Sequence, residues 1–316
     1  MPVKTKHLLI SWGLLILLAT IWGSSFILMK KAMTDGQGNP LLSNTQVAAL
    51  RMVIASAVML PFVLRKFRAN LIKFAVPLAI VGWAGNGLPA FLFTTAQTEL
   101  NSSITGVLNA LTPLFTLMVA FFLYRKRYPV INYIGIVVAL AGAMMLVFEH
   151  SHGISGAPLW AYASVAFATV CYAISVNVIK NNLTGLGSVQ ITGLAMVWVS
   201  PVCLAFLIYD GFFNEVLHSQ KIQEGLPYVA VLAVLGTAVA LILFNHLIKI
   251  SNALFASSVT YLIPVVAVFW GFMDSEIISW LDLLFTAVII SGVYMVNKRK
   301  EDSSATVSFG SAGVNE

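Results

Sequence analysis

The amino-acid sequence predicts an all-α integral membrane protein with ten transmembrane helices in two inverted five-helix repeats. Apolar residues make up 59% of the 316 residues and charged residues only 9%, with a mean hydropathy of +0.90. This composition lies outside the range of soluble globular domains. Ten apolar runs are long enough to cross a bilayer, and one stretch of the chain returns as a second copy.

The ten predicted spans follow from runs of about 20 apolar residues, the length needed to cross the hydrocarbon core. They cover residues 8–29, 44–64, 73–94, 101–124, 131–148, 158–180, 188–209, 226–248, 252–273 and 278–297. The connections at 95–100 and 249–251 are so short that their flanking helices must form antiparallel hairpins.

The duplication rests on residues 85–113, which match residues 236–264 without a gap. The matched pairs are Gly85 with Gly236, Leu92 with Leu243, Phe93 with Phe244, Asn101 with Asn252, Leu111 with Leu262 and Pro113 with Pro264. The sequence therefore predicts a first repeat at 8–149 and a second at 158–297, followed by a cytoplasmic tail at 301–316. That tail is rich in Ser, Gly and acidic residues and is predicted to be disordered.

Orientation follows from the Lys and Arg residues, which favour cytoplasmic loops. With the N-terminus inside, the cytoplasmic group is Lys4, Lys6, Arg65, Lys66, Arg68, Lys73, Arg125, Lys126, Arg127, Lys180, Lys249, Lys298, Arg299 and Lys300. Both termini are therefore expected in the cytoplasm. Because five is odd, the second repeat begins on the opposite face and is inverted, as in transporters that work by alternating access.

Arg51 is the clear intramembrane cation, and such residues are candidates for function. It lies seven or eight residues into the second span, and that span contains no acidic residue to neutralise it. Its side chain could anchor the carbonyl groups of a broken helix, or it could face a cavity and attract an anionic group.

Pro113 and Pro264 fall about halfway along the fourth and ninth spans. Each removes a backbone hydrogen bond to the residue four positions earlier and frees a carbonyl at mid-membrane depth. This indicates either a kink satisfied by neighbouring helices or a gating or binding role. Gly85 and Gly236 are further hinge candidates, or points of close helix contact.

Uncharged polar and aromatic side chains occur around these prolines and suggest a polar path, although each could also serve helix packing. They are Trp22, Ser24, Ser25, Trp83, Asn86, Thr105, Asn109, Thr112, Tyr172, Ser175, Asn177, Thr237, Asn245, Ser257, Ser258, Thr260 and Tyr261. His246 and Glu99 are candidates for proton coupling.

Catalysis has little support, because the sequence lacks a nucleophile elbow, a P-loop and a zinc-protease motif. No metal or cofactor is predicted. Cys171 and Cys203 lie in apolar runs, where packed thiols are expected. No basic stretch is interleaved with base-stacking aromatics, so no nucleic-acid partner is expected.

The chain resembles the EamA family of the drug/metabolite transporter superfamily. The likeness is carried by residues 19–26 (ATIWGSSF), by Arg51, and by the stretches 101–113 and 252–264. The resemblance implies a central cavity bordered by the first, third and fourth spans of each repeat. Carried over to this sequence, it favours Trp22, Ser25, Asn86, Asn109, Tyr172, Asn177, Asn245 and Tyr261.

The resemblance also implies a secondary transporter of small metabolites, often an exporter of amino acids or related compounds, in the cytoplasmic membrane. Two alternatives stay open: an exchanger of nucleotide sugars or other anionic metabolites, and a non-transporting membrane enzyme or scaffold. The expected partners are a small-molecule substrate and membrane lipid. Direction, energy coupling, and monomer or homodimer state are left open.

Overall fold

The computed structural model describes residues 3–64, 67–126, 128–152, 157–251 and 253–297, and this part of the chain consists of helices joined by short connections. The helices are α1 (Val3–Met33), α2 (Asn44–Val63), α3 (Phe67–Lys73), α4 (Ala75–Gly82), α5 (Leu88–Ala96), α6 (Ser102–Asn109), α7 (Thr112–Tyr124), α8 (Val130–His152), α9 (Leu159–Asn182), α10 (Ser188–Tyr209), α11 (Phe212–His218), α12 (Gln220–Ala233), α13 (Ala240–Ile250), α14 (Ala253–Ser257), α15 (Ile263–Met273) and α16 (Trp280–Asn297). The predicted tail at 301–316 lies outside the described residues.

Within those ranges, nine helical segments are long and apolar enough to cross a membrane, and a tenth, Trp280–Val296, is a shorter apolar helix. The all-α prediction with ten spans is confirmed. The main difference is the eighth span, which begins at Gln220 instead of residue 226. Ser219 starts it early, because its side chain accepts a hydrogen bond from the backbone N–H of Ile222 and caps the helix.

Two spans contain a π-helical turn that the sequence did not predict. These turns are Trp83–Gly87, between α4 and α5, and Val234–Val239, between α12 and α13. They occupy equivalent places in the two copies of the repeated stretch. A π turn inside an α-helix is rare and often marks a functional position.

The fourth and ninth spans are each divided in two rather than kinked in mid-helix. Pro113 lies in the first turn of α7, and Pro264 lies in the first turn of α15 after a 3₁₀ turn at Ser258–Tyr261. Proline is accepted there because the first helical N–H groups have no intrahelical partner. The Asn109 carbonyl, which Pro113 leaves without its usual donor, accepts from the Thr112 hydroxyl at 2.8 Å.

The packing of the helices is symmetric when the two halves of the chain are exchanged. Helix α2 packs on its counterpart α10, and α8 packs on its counterpart α16. Helix α1 contacts α13, just as its counterpart α9 contacts α5. This pattern is the one that a two-fold relation between the halves produces. It leaves a central space bordered by α1, α2 and α5 of the first half and by their counterparts α9, α10 and α13 of the second half.

Candidate functional site

A central cavity lies between the two halves of the chain and is bordered by residues from both. It contains about 990 Å³ of unoccupied space, including the part open to solvent. The centre of a water-sized sphere can move through about 90 Å³ of it. Since one water needs roughly 10–15 Å³ by that measure, several waters or part of a small solute fit without rearrangement.

Seven of the nine predicted substrate-contacting residues line this cavity. They are Trp22, Ser25, Arg51, Asn86, Asn109, Tyr172 and Asn245. The hinge candidates Gly85 and Gly236 line it too, whereas Pro113 and Pro264 are not among the lining residues.

The other two predicted residues, Asn177 and Tyr261, face neighbouring helices instead. The Asn177 amide donates to the carbonyl of Thr116 in α7 at 3.0 Å, and to Ala173 in its own helix at 2.9 Å. The Tyr261 hydroxyl donates to the Val293 carbonyl in α16. Both side chains thus hold helices together, and neither is among the residues that line the cavity.

The two π turns present matching polar groups to the cavity. In the first, the Asn86 amide donates to the Val81 carbonyl at 3.1 Å; in the second, the Thr237 hydroxyl donates to the Leu232 carbonyl at 3.1 Å. Each bond spans five residues and satisfies a backbone acceptor inside the span. Asn86 and Thr237 both line the cavity, so the π turns bring these side chains to it.

Arg51 is buried, with 9% of its surface exposed, and it is one of the residues that line the cavity. Its Nε donates to the Thr237 hydroxyl at 2.6 Å, and its Nη1 lies 3.9 Å from the sulfur of Met29. Thr237 belongs to the other half of the chain, so this bond links the two halves where α2 packs against the second π turn. Among the described residues the structure forms no ion pair to Arg51.

Two aromatic pairs flank the cavity and correspond to each other in the two halves. Trp22 meets Phe244 edge to face at 4.9 Å between ring centroids, and Tyr172 stacks on Phe93 at 5.8 Å. Trp22 also donates to the Gly236 carbonyl at 3.1 Å. Sequence reasoning selected Trp22 and Tyr172 but passed over the phenylalanines, which carry no polar group.

The two repeat glycines allow close helix contact at the cavity wall. A Cβ atom at Gly85 would meet the Ser175 hydroxyl, and one at Gly236 would lie 2.9 Å from the Ser25 hydroxyl. Ser25 and Ser175 occupy equivalent places in the first spans of the two halves. The glycines are therefore points of close approach at the interface between the repeats.

A charged cluster joins three elements at one end of the cavity. We call Lys30, Lys31, Ser102, Ser103, Asp274 and Glu276 the Glu276 cluster. The Glu276 carboxylate accepts from the backbone N–H groups of Ser102 and Ser103, each at 3.1 Å, and from both hydroxyls, each at 2.6 Å. Lys30 lies 3.1 Å from Glu276 and 2.8 Å from Asp274, and it directly follows Met29, which lines the cavity.

Glu276 stays ionised in this setting. Burial by itself raises the pKa of its carboxyl, but the hydrogen bonds from Ser102 and Ser103 and the charge of Lys30 bring that pKa below its ordinary value. The carboxylate also caps the N-terminus of α6, where a negative charge is favoured. The cluster thus ties the end of α1 to the start of α6 and to the turn after α15.

The corresponding lysine in the second half, Lys180, forms a different contact. Its ammonium donates to the carbonyls of Ile248 at 2.9 Å and Ser251 at 2.7 Å, at the end of α13. The two ends of the cavity are therefore held by unequal contacts, one by an ion-pair cluster and the other by a capped helix end.

Of the two residues considered for proton coupling, neither borders the cavity. Glu99 and His246 are both exposed, and the cavity lining contains no Asp, Glu or His. Across the described residues, no group of three or more His, Cys, Asp or Glu side chains is placed to hold a metal ion.

Comparison with known proteins identifies the family to which this chain belongs. The model of the EamA-like transporter family matches the chain twice, over residues 10–148 and 159–298. The chain belongs to the EamA-like transporter family. This finding and the apolar helices make it a multi-pass membrane protein of a family of transporters.

Curated relatives of this EamA-like transporter cover nearly its whole length. It is 26% identical over 305 residues to an uncharacterized inner membrane transporter, YedA, of Escherichia coli strain K12, with 94% of each chain covered. It is 23% identical over 291 residues to a probable terminal-alkyne amino-acid exporter of Streptantibioticus cattleyicolor, covering 91% of this chain and 93% of the relative.

A solved crystal structure shares the fold of this EamA-like transporter. The two superpose with a TM-score of 0.61 at 16% sequence identity, over 93% of this chain and 96% of the other.

Proposed function

We propose that this protein is a secondary transporter that exports amino acids or related small metabolites by alternating access. It would lie in the cytoplasmic membrane with both termini in the cytoplasm and would use no cofactor. Family membership supports transport, and the amino-acid substrate is suggested by the relative described as a probable amino-acid exporter.

One observation supports the proposed mechanism: residues at equivalent positions in the two halves line one shared cavity. The pairs are Trp22 with Tyr172, Ser25 with Ser175, Met29 with Ile179, Gly85 with Gly236 and Phe93 with Phe244. If the two halves exchange their shapes, the same cavity closes at one end and opens at the other.

The unequal contacts at the two ends fit this mechanism. The Glu276 cluster holds α1, α6 and the turn after α15 together at the end that the charge distribution predicts to be outer. Opening that end would require breaking these contacts, and re-forming them would return the protein to the state seen here.

The test is transport by the purified protein in liposomes. Vesicles are loaded with one unlabelled neutral amino acid and placed in a solution of the same amino acid carrying a label. They should accumulate the labelled amino acid by counterflow, and the uptake should be saturable and should require the protein. Protein-free vesicles control for leak. If no amino acid gives counterflow with correctly inserted protein, the amino-acid assignment is wrong.

Nucleotide-sugar exchange gains no support from the cavity. A solute with two phosphate groups needs several cations, and Arg51 is the cationic residue among those that line the cavity.

A further inference from the structure

We infer that the cavity selects a solute with a single carboxylate, which Arg51 binds. It rejects the same solute when the carboxylate is blocked and only the positively charged amine remains. This inference rests on the proposed transport function and deepens it by naming the chemical feature that is recognised. Arg51 lines the cavity from the first half, and the equivalent position in the second half is Ala195, which also lines the cavity.

The Arg51 guanidinium has hydrogen-bond donors that the described residues do not use. An arginine has five N–H donors, and here Nε is bonded to Thr237 while Nη1 has only the thioether sulfur of Met29 at 3.9 Å. In the described part of the chain the guanidinium forms no other hydrogen bond. The two terminal nitrogens are therefore the groups available for a two-pronged contact with a carboxylate.

The charge of the cavity favours an anionic group on the solute. Arg51 is nine-tenths buried, and none of the residues that line the cavity is acidic. A charge in a buried site without a partner is costly. A bound carboxylate would supply the missing counter-charge, whereas a solute with a net positive charge would add repulsion.

The guanidinium is held in place before any solute binds. The Thr237 hydroxyl donates to the Leu232 carbonyl across the second π turn, so toward Arg51 it can only accept. This orients Nε toward the π turn. Thr237 is thus a positioning residue, because it acts on the solute through Arg51.

The remaining wall indicates what else the solute carries. Met29, Met52, Val81 and Leu241 are apolar, and four aromatic rings flank the space. Aromatic faces also tolerate an ammonium group. A neutral amino acid with an apolar side chain has each of these features, with one carboxylate and no net charge.

The experiment measures binding to the purified protein in detergent by isothermal titration calorimetry. The probes are L-leucine, L-methionine and L-phenylalanine, each with its methyl ester and its primary amide. Both derivatives lack the carboxylate and keep the amine. We expect the free acids to bind at least about tenfold more tightly than either derivative, the effect of one charge-assisted contact.

Variants separate the role of Arg51 from that of the fold. Arg51→Gln should abolish the preference for the free acid over the ester, and Arg51→Lys should keep part of it. Ser56→Ala, a buried change on the same helix away from the cavity, is the matched control and should retain the full preference. Thr237→Val should weaken binding of the free acid but not of the amide, and Thr237→Ser should restore it.

The inference is overturned if the esters bind as tightly as the acids, if Arg51→Gln keeps the preference, or if none of the probes binds. Counterflow of the same compounds distinguishes this from failure of the proposed function. If the acids bind but are not transported, the transport assignment is wrong and the carboxylate site at Arg51 stands. If the esters are transported and Arg51→Gln does not change this, the protein is a transporter but Arg51 is not a carboxylate site.

Discussion

Replacing Glu276 by glutamine should open the predicted outer end of the cavity. The carboxylate is only 2% exposed and accepts four hydrogen bonds from Ser102 and Ser103 besides its contact with Lys30. The amide introduced by Glu276→Gln would keep one acceptor oxygen, present an N–H₂ group in place of the other, and lose the charge that pairs with Lys30.

The magnitude follows from the contacts that change. Hydrogen bonds to charged groups contribute roughly 1.5–3 kcal/mol each, so weakening two of them costs the closed state about 3 kcal/mol. Because about 1.4 kcal/mol corresponds to a tenfold change in an equilibrium constant, the ratio of open to closed protein should rise about a hundredfold.

The assay is labelling of a single cysteine placed in the cavity. Cys171 and Cys203, both buried, are first replaced by Ala, and Ser25→Cys provides the reporter. A membrane-impermeant maleimide added to intact cells should label the Glu276→Gln protein much faster than its parent. Asp35→Asn is the control and should not change the labelling rate. It removes the charge of a partly exposed carboxylate on the same face whose hydrogen bonds, from Gln37 and Asn39, stay within its own loop.

Equal labelling of parent and Glu276→Gln protein at equal abundance would refute the role of the Glu276 cluster as a closing contact. Faster labelling in the Asp35→Asn control as well would show that any loss of charge on this face has the effect, and the specific contacts described here would not explain it.

Three further predictions concern Gly85, Pro113 and the pH dependence of the Glu276 contacts. Gly85→Ala should lower the free energy of unfolding by about 1–3 kcal/mol, the usual cost of overpacking. Adding Ser175→Gly should restore part of that free energy, which a double-mutant cycle measures. Pro113→Ala returns a donor to the Asn109 carbonyl, so it should slow transport in liposomes more than it lowers abundance. The labelling rate of the parent, divided by that of the Glu276→Gln protein at the same pH, cancels the pH dependence of the reporter thiolate. This ratio should not change between about pH 6 and 8, because the lowered pKa keeps Glu276 ionised there. The stabilisation of the closed end by Glu276 is complete above the ordinary Glu value of about 4.3 and is lost as the pH falls through the lowered pKa, so the two rates should converge only in acid.

The sequence predicted the spans because their signal is local. A run of about 20 apolar residues is visible without knowledge of tertiary contacts. The position of Arg51 at the cavity could also be anticipated, because an unpaired intramembrane charge has few other stable placements.

The sequence does not show which polar residues of a span face the cavity. Asn177 and Asn245 are both amides on apolar spans, yet only Asn245 lines the cavity, while Asn177 donates to a carbonyl of α7. Which face of a helix turns inward depends on packing against neighbours. In addition, a π turn rotates the residues that follow it relative to an ideal helix, and the turns at Trp83–Gly87 and Val234–Val239 carry no distinctive sequence signal.

The phenylalanines of the aromatic pairs were missed for a related reason. Phe93 and Phe244 look like ordinary apolar residues of a span, and only their contacts with Tyr172 and Trp22 reveal that they flank the cavity. The repeat alignment already contained the signal, because the two phenylalanines match each other.

The proposed role of Arg51 in moving a carboxylate-bearing solute through the cavity is tested most directly by counterflow of labelled L-leucine, L-methionine and L-phenylalanine. The liposomes contain equal amounts of parent or Arg51→Gln protein. We predict saturable counterflow of at least one amino acid with the parent protein and its loss with the variant. Counterflow that is unchanged in the Arg51→Gln protein would contradict the account.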